Sequence, residues 1–361
     1  MKLKMVKKTP TKKIVKLGTI RIKAKDLKPY KKTSRGWVKT KIDTNDLLKV
    51  VKLFKAHKNF NILIDTKNPD FIKGQLSKEG NIQGARINIL PNGEKIDKAY
   101  SLFAKHLTVH DQSSDDHWDV IFQNKGGTFA YCYTLEKKQL HKTKKFKKVH
   151  KFDKVYSILS KKVTNALRNK KDHLAMPMYT LLKTKMRIGN EIYYKAHRHK
   201  GLTTLKKRDI TIKGDIVKFN YLAKDGVPRL IEQKFPTPYI LRLKDMMKKK
   251  KIDEFIFTMP NSLHPMPEQQ FKKAFKEYCG QEFYPHIVRS HYATKEVKDF
   301  LKGKRKVSKE DMQNLFLSIA HDLGHKKFVK KENQWKDSYS VTVNHYIQPE
   351  IVEMIKSRVR R

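Results

Sequence analysis

The chain has 361 residues, of which 38% are apolar, enough for packed cores and long enough for two domains or three. Its 82 Lys and Arg stand against 35 Asp and Glu, a net charge of +47 that no ordinary cytosolic metabolic enzyme needs and that suits a polyanionic partner, nucleic acid first. No stretch approaches the ~20 apolar residues of a transmembrane helix, no secretion signal is visible, and Cys132 and Cys279 offer neither a disulfide framework nor a cysteine zinc site.

Residues 1–65 read as a basic N-terminal extension. The first forty hold fifteen Lys/Arg and one acid, Asp26; disorder is expected to about 17, with some order beyond, where Ile20, Ile22 and Leu27 sit among the charges. The spacing of Leu47, Leu48, Val51, Leu53 and Phe54 predicts an amphipathic helix with Asp43 or Thr44 as its N-cap, followed by a short strand over 61–64. Residues 66–140 read as a β-rich domain punctuated by Glu79-Gly80, Pro91-Asn92-Gly93 and Lys125-Gly126-Gly127, with a hairpin of 119–122 against 128–133 and one helix around Lys98 to His106.

From 136 to 162, eleven lysines and two acids are interleaved with Phe146, Phe152 and Tyr156. A helix with an aromatic face against its own domain and a basic face toward phosphates has this pattern, making Lys144, Lys145, Lys147, Lys148 and Lys151 candidate DNA contacts; a merely solvated lysine face would look the same. Residues 141–361 turn to longer helical periods, broken by a β excursion over 209–232.

Five places in this second half could carry chemistry. Arg187 follows an apolar helix ended by Gly189-Asn190, where a cation also simply complements a helix C-terminus. Lys224 tips the turn Ala223-Lys-Asp-Gly226, ordinarily a solvated position. Arg289 lies close to the core face of a helix opened by Pro285, half-buried and in need of an anionic partner. His321 and His325 are four apart, as in zinc proteases, but Asp322 stands where the glutamate base would be and no third ligand follows. Tyr346 precedes a proline-started helix, where a tyrosine is most often a core residue.

Their order changes that balance. Arginine, hairpin lysine, arginine on a helix, Leu-Gly-His and a tyrosine near the C-terminus resemble the active-site set of type IB DNA topoisomerases, particularly the compact poxvirus-like and bacterial branch. The segment LLKTKMRIGNEIYYKAHRHKGLTTLKKRDITIKGDIVKFNYLAKDG, then VRSHYAT, LGH and HYIQPEIV, carry the resemblance over roughly 140–361. It implies an α+β chain: a small β-rich N-terminal domain and a mainly α-helical catalytic domain with a three-stranded β excursion.

The same resemblance implies roles. Arg187 and Arg289 would bind the scissile phosphate, Lys224 would donate a proton, His325 would bond a non-bridging oxygen, and Tyr346 would attack. The partner would be double-stranded DNA, gripped by a monomer closing as a clamp, with no metal and no nucleotide cofactor, inside a cell or virion and at no membrane; lysine-rich coding also suits a large DNA virus. The departure is the spacing: the family's histidine usually precedes its tyrosine by about ten residues, whereas His325 and Tyr346 are 346 − 325 = 21 apart, with Tyr339 as a competing nucleophile and His345 as a fallback histidine. A tyrosine recombinase, or a non-enzymatic DNA-binding protein, is the rival reading.

Overall fold

The computed structural model describes residues 15–359 apart from 85, 111–117, 125–126 and 330, and of Tyr193 the backbone alone. The architecture is mixed α+β with small antiparallel sheets, and the chain divides into two compact units, Met1–Thr143 and Lys144–Arg361. Among the described residues no helix is long and apolar enough to cross a membrane. The disorder expected at the N-terminus falls almost wholly on residues 1–14, outside the described residues.

In the first unit, β1 (Ile20–Ile22) lies between β2 (Pro29–Thr33), which pairs onward with β3 (Gly36–Lys39), and β4 (Gln75–Leu76), which pairs with β5 (Ile82–Gln83). Helix α1 (Asn45–Ala56), with Thr44, one of the two expected residues, at its N-cap position, buries Leu47, Val50, Val51 and Phe54 in a core shared with Ile22, Ile72 and Leu107. Residues on both sides of position 65 therefore share one sheet and one core, so 15–65 is folded into this unit rather than a separate extension.

Two local expectations are corrected. Residues 60–63 form a 3₁₀ turn instead of a strand, with Ile62 and Ile64 N–H donating to Asn59 and Asn61 carbonyls; of its residues only Leu63 is buried. The helix expected at 98–106 is a strand–turn–strand: β6 (Ile87–Ile89) pairs with β7 (Lys95–Tyr100), and β8 (Lys105–Val109) joins β9 (Val120–Gln123) and β10 (Phe129–Cys132). Ile96 and Tyr100, then Leu107 and Val109, are buried at strand spacing, so period two accommodates the apolar residues better than period 3.6. The β9–β10 hairpin is the expected one.

Helix α2 (Leu135–Ala166) carries the lysine-rich run. Phe146, Val149 and Phe152 are buried, and Phe152 meets Phe275 and Phe283 edge to face at 5.8 and 5.0 Å, pairs each worth about 0.5–1.5 kcal/mol beyond area burial. Around this core lie α3 (Ala175–Thr184), α4 (Glu191–His197), the meander β11 (Ile210–Lys213), β12 (Ile216–Leu222) and β13 (Pro228–Lys234), α5 (Thr237–Lys248) and α6 (Glu268–Cys279). The expected β excursion is this three-stranded sheet.

A second core in the same unit holds α7 (Ile287–Leu301), α8 (Lys309–Leu323), α9 (Ser340–His345) and α10 (Pro349–Ser357). Ser308 caps α8 by accepting the Asp311 N–H at 2.9 Å. Between α8 and α9, the stretch that separates His325 from Tyr346 carries a hairpin of β14 (Lys326–Val329) and β15 (Gln334–Asp337).

Candidate active site

The loop carrying Arg187 is held by its backbone. Helix α3 ends at Lys185 in left-handed conformation, and the following residues are gripped by Gly201-Leu-Thr-Thr204: Leu202 N–H donates to the Arg187 carbonyl and Thr203 N–H to the Ile188 carbonyl, both at 2.8 Å. Gly201 permits this approach, because a Cβ there would lie 2.5 Å from the Arg187 carbonyl oxygen and from the Gly189 nitrogen. Gly201→Ala is therefore expected to displace the Arg187 loop and destabilise the unit by about 1–3 kcal/mol, read as a lowered melting temperature. An unchanged melting temperature would mean that the two segments separate freely.

Arg289 is 2% exposed on the inner face of α7, deeper than its sequence position suggests. Its Nη1 donates to the Lys185 carbonyl at 2.6 Å, and Nη2 donates to the Leu323 carbonyl at 2.9 Å and to His325 Nε2 at 3.0 Å. Its Nε is buried with no partner among the described residues, and its guanidinium lies 5.1 Å from the centre of the Tyr346 ring. Burial pulls this guanidinium down to about 10; Tyr346 opposes the shift and the nearby Arg187 adds to it.

Tyr346 is 3% exposed, and its hydroxyl oxygen accepts from Arg187 Nη2 at 3.0 Å. The rings of His325 and His286 lie 4.7 and 5.1 Å from its own. Thr294 of α7 fixes this segment, its hydroxyl donating to the Tyr346 carbonyl at 3.4 Å and accepting the Gln348 N–H at 3.1 Å. Because a guanidinium can only donate, His325 Nε2 accepts from Arg289 and the ring proton sits on Nδ1, donating to Thr342 Oγ1 at 2.7 Å. Burial, then Arg289 and Arg187, push the His325 imidazole down to about 3; burial and the same two arginines do likewise to His286.

Arg187, Lys224, Arg289 and His325 line one cleft of about 470 Å³, with Lys224 exposed in the turn between β12 and β13. Seven cationic side chains border it (Arg187, Lys200, Lys224, Arg229, Arg289, Lys326 and Lys327), against one carboxylate among the described lining residues, Asp225. Lys200 is neutralised from behind by Asp209, which accepts through both oxygens at 2.7 Å. Such a cleft suits an anion, which would offset the mutual repulsion of the cations around it.

The Leu-Gly-His turn is set by Arg229 of β13. This buried arginine donates to the carbonyls of His321 and Asp322, the end of α8, and a Cβ on Gly324 would sit 2.9 Å from its Nε. With φ at +68°, Gly324 also occupies a conformation that favours glycine. His321 and His325 consequently diverge: His321 bonds Asp337 at 3.1 Å while His325 faces Arg289, so the zinc-protease arrangement is not assembled.

The hairpin resolves the spacing departure. Ser338 N–H donates to the His325 carbonyl at 2.9 Å, so the chain returns to the histidine only 346 − 338 = 8 residues before Tyr346. Tyr339 is half-buried against Phe316, ring centres 5.8 Å apart, and does not line the cleft. His345 is exposed at the end of α9, so His325 is the histidine beside Arg289.

On α2, Lys144, Lys147, Lys148 and Lys151 are exposed opposite the buried Phe146, Val149 and Phe152. Lys145 differs: half-buried, it approaches Tyr346. Sequence reasoning missed His286, Arg229 and Thr294, and assigned Lys145 to the outer face. His286 and Arg229 carry no spacing signal of their own, because their significance is a contact with Tyr346 or with Gly324.

Residues 134–354, more than half of the chain, match the family described as the catalytic core of eukaryotic DNA topoisomerase I, and the chain belongs to that family. A DNA topoisomerase 1B of Acanthamoeba polyphaga mimivirus is 24% identical over 226 residues, covering 57% of this chain and 66% of that relative, just under two thirds of its length.

Proposed function

We propose that the protein is a type IB DNA topoisomerase that relaxes supercoiled duplex DNA through a tyrosyl ester, without ATP or metal, in a tyrosine recombinase/topoisomerase IB-like catalytic domain. The observation that carries this reading is a buried tyrosine hydroxyl bonded to Arg187 at 3.0 Å, beneath Arg289, at the edge of a cleft bordered by cations. Such an arrangement suits a nucleophilic phenol and an anionic phosphorus centre.

The chemistry balances with these groups. Tyr346 Oη forms a bond to phosphorus as the bond to the 5′-oxygen breaks; the phenolic proton passes to water, and Lys224 gives a proton to the leaving oxygen and regains one from solvent. Charge gathering on the phosphoryl oxygens is met by Arg187 and Arg289, the electrostatic work that a metal performs in other phosphoryl transferases. When a phosphate draws Arg289 off His325, Nε2 is freed, and the anion offsets the positive surroundings that disfavour a proton there, so His325 can donate to a non-bridging oxygen. The ester retains the bond energy, and attack by the free 5′-hydroxyl after strand rotation reseals the strand. The partner is duplex DNA, on which a monomer would close with its exposed lysines, including Lys144, Lys147, Lys148 and Lys151.

Purified protein is expected to relax positively and negatively supercoiled plasmid in EDTA with no nucleotide, as read on agarose gels. A strict metal or ATP requirement would sink the mechanism, and efficient strand exchange between paired nicked sites would assign a recombinase instead.

A further inference from the structure

Within the basic run of α2, Lys144, Lys147, Lys148 and Lys151 are exposed, whereas Lys145 is half-buried. Its Nζ donates to the carbonyl of His345, 200 residues away in sequence, and lies 5.3 Å from the centre of the Tyr346 ring and 5.1 Å from that of Phe146. His345 is the last residue of α9, a helix of six residues, and the last carbonyls of a helix have no intrahelical donor. An ammonium there satisfies such an acceptor and complements the negative end of the helix. The bond also acts on the peptide unit that leads directly into Tyr346.

We infer that Lys145 is a positioning residue for Tyr346: it ties the backbone just before the tyrosine to α2, the helix whose opposite face presents lysines to DNA. This rests on the reading of Tyr346 as the attacking group. The tyrosine ring is then held from several sides, by Lys145 at 5.3 Å, Arg289 at 5.1 Å, His325 at 4.7 Å and His286 at 5.1 Å. Phe146 and Val149, buried on the inner face of α2, anchor the stem from which Lys145 reaches. A lysine meant only for phosphate would have no reason to donate to a peptide carbonyl beside the tyrosine. A lysine that sets the attack angle has one, because misplacement of a reacting group by about 1 Å can cost about 10²-fold in rate.

The test is single-turnover cleavage of a suicide DNA duplex by the full chain, comparing Lys145→Met and Lys145→Arg with the unsubstituted protein. Lys145→Met is expected to lose about tenfold or more of the cleavage rate at saturating DNA. Its Kd for the duplex, and the salt dependence of that Kd, should stay at the unsubstituted values, and Lys145→Arg should recover most of the rate. An undiminished saturating rate in Lys145→Met would overturn the inference. So would a loss confined to Kd with a salt slope flatter by about one, the mark of one lost phosphate contact. An unsubstituted protein that forms no adduct would overturn the proposed function itself, and this inference with it.

Discussion

Tyr346→Phe is expected to abolish both plasmid relaxation and the covalent protein–DNA adduct while leaving duplex affinity and its salt dependence intact. The substitution removes one oxygen. The ring, packed between His325 and His286 and under Arg289, keeps its shape and most of its contacts, so the fold should survive. What disappears is the proposed nucleophile and the acceptor for Arg187 at 3.0 Å. Affinity should persist because it comes largely from lysines elsewhere. Tyr339, half-buried against Phe316, supplies the control: Tyr339→Phe should relax DNA at the unsubstituted rate. Mass spectrometry of the peptide left on a cleaved suicide substrate should find the nucleotide on Tyr346. Full activity in Tyr346→Phe, with loss in Tyr339→Phe, would transfer the role.

How far the site is legible in the sequence depends on the kind of relation involved. Arg187, Lys224, Arg289, His325 and Tyr346 can be selected because their order and their neighbours form a pattern, although none stands out alone; the structure brings four of them to one cleft and the fifth against three of those four. Periodicity places α1, α2, the β11–β13 meander and the β9–β10 hairpin. It fails at 98–106, where the apolar residues are compatible with two periods and tertiary burial, of Tyr100 in β7 and of Leu107 in β8, chooses strands on either side of a turn. The Gly201-Leu-Thr-Thr204 motif is visible as a pattern, but its task of holding the Arg187 carbonyl is a contact across fifteen residues (202 − 187) that no local rule encodes. Lys145 is harder still. In a run of lysines it is indistinguishable by type, and only the angular position of one side chain on α2, together with the return of the chain at His345, separates it from its neighbours.

The electrostatic arrangement leaves these groups suited to an anionic ligand. Among the described residues Arg289 is buried with carbonyl and imidazole partners but no carboxylate, its Nε unmet, and Arg187 bonds the Tyr346 hydroxyl. A buried carboxylate partner would compete with the proposed phosphate for the same guanidinium. The protein instead keeps His325 and His286 neutral, which limits the repulsion inside the unliganded cluster. On the proposed function the +47 charge is thereby divided: most of it would attract the polyanion from a distance, while the few buried cations would act at one phosphate.

Arg289→Lys should separate charge from geometry at that phosphate. A lysine keeps the cation but has a single donor head, so it cannot bond the Lys185 and Leu323 carbonyls and His325 together as the fork does. Each buried carbonyl left without a donor costs about 1–3 kcal/mol, and the melting temperature should fall accordingly. Measured well below that temperature at saturating DNA, the cleavage rate is expected to drop about 10²–10³-fold, the usual effect of losing one oxyanion donor. A near-normal rate combined with a lowered melting temperature would make Arg289 a strut for the two carbonyls and remove it from the chemistry. The pH profile adds a second reading. Burial that brings Arg289 only to about 10 leaves it charged at neutral pH, whereas a lysine in the same place starts from a lower value and sheds its proton as pH rises. A rate that falls from neutral toward alkaline pH in the variant alone would assign part of the arginine's contribution to its permanent charge, and parallel profiles would assign it to the fork.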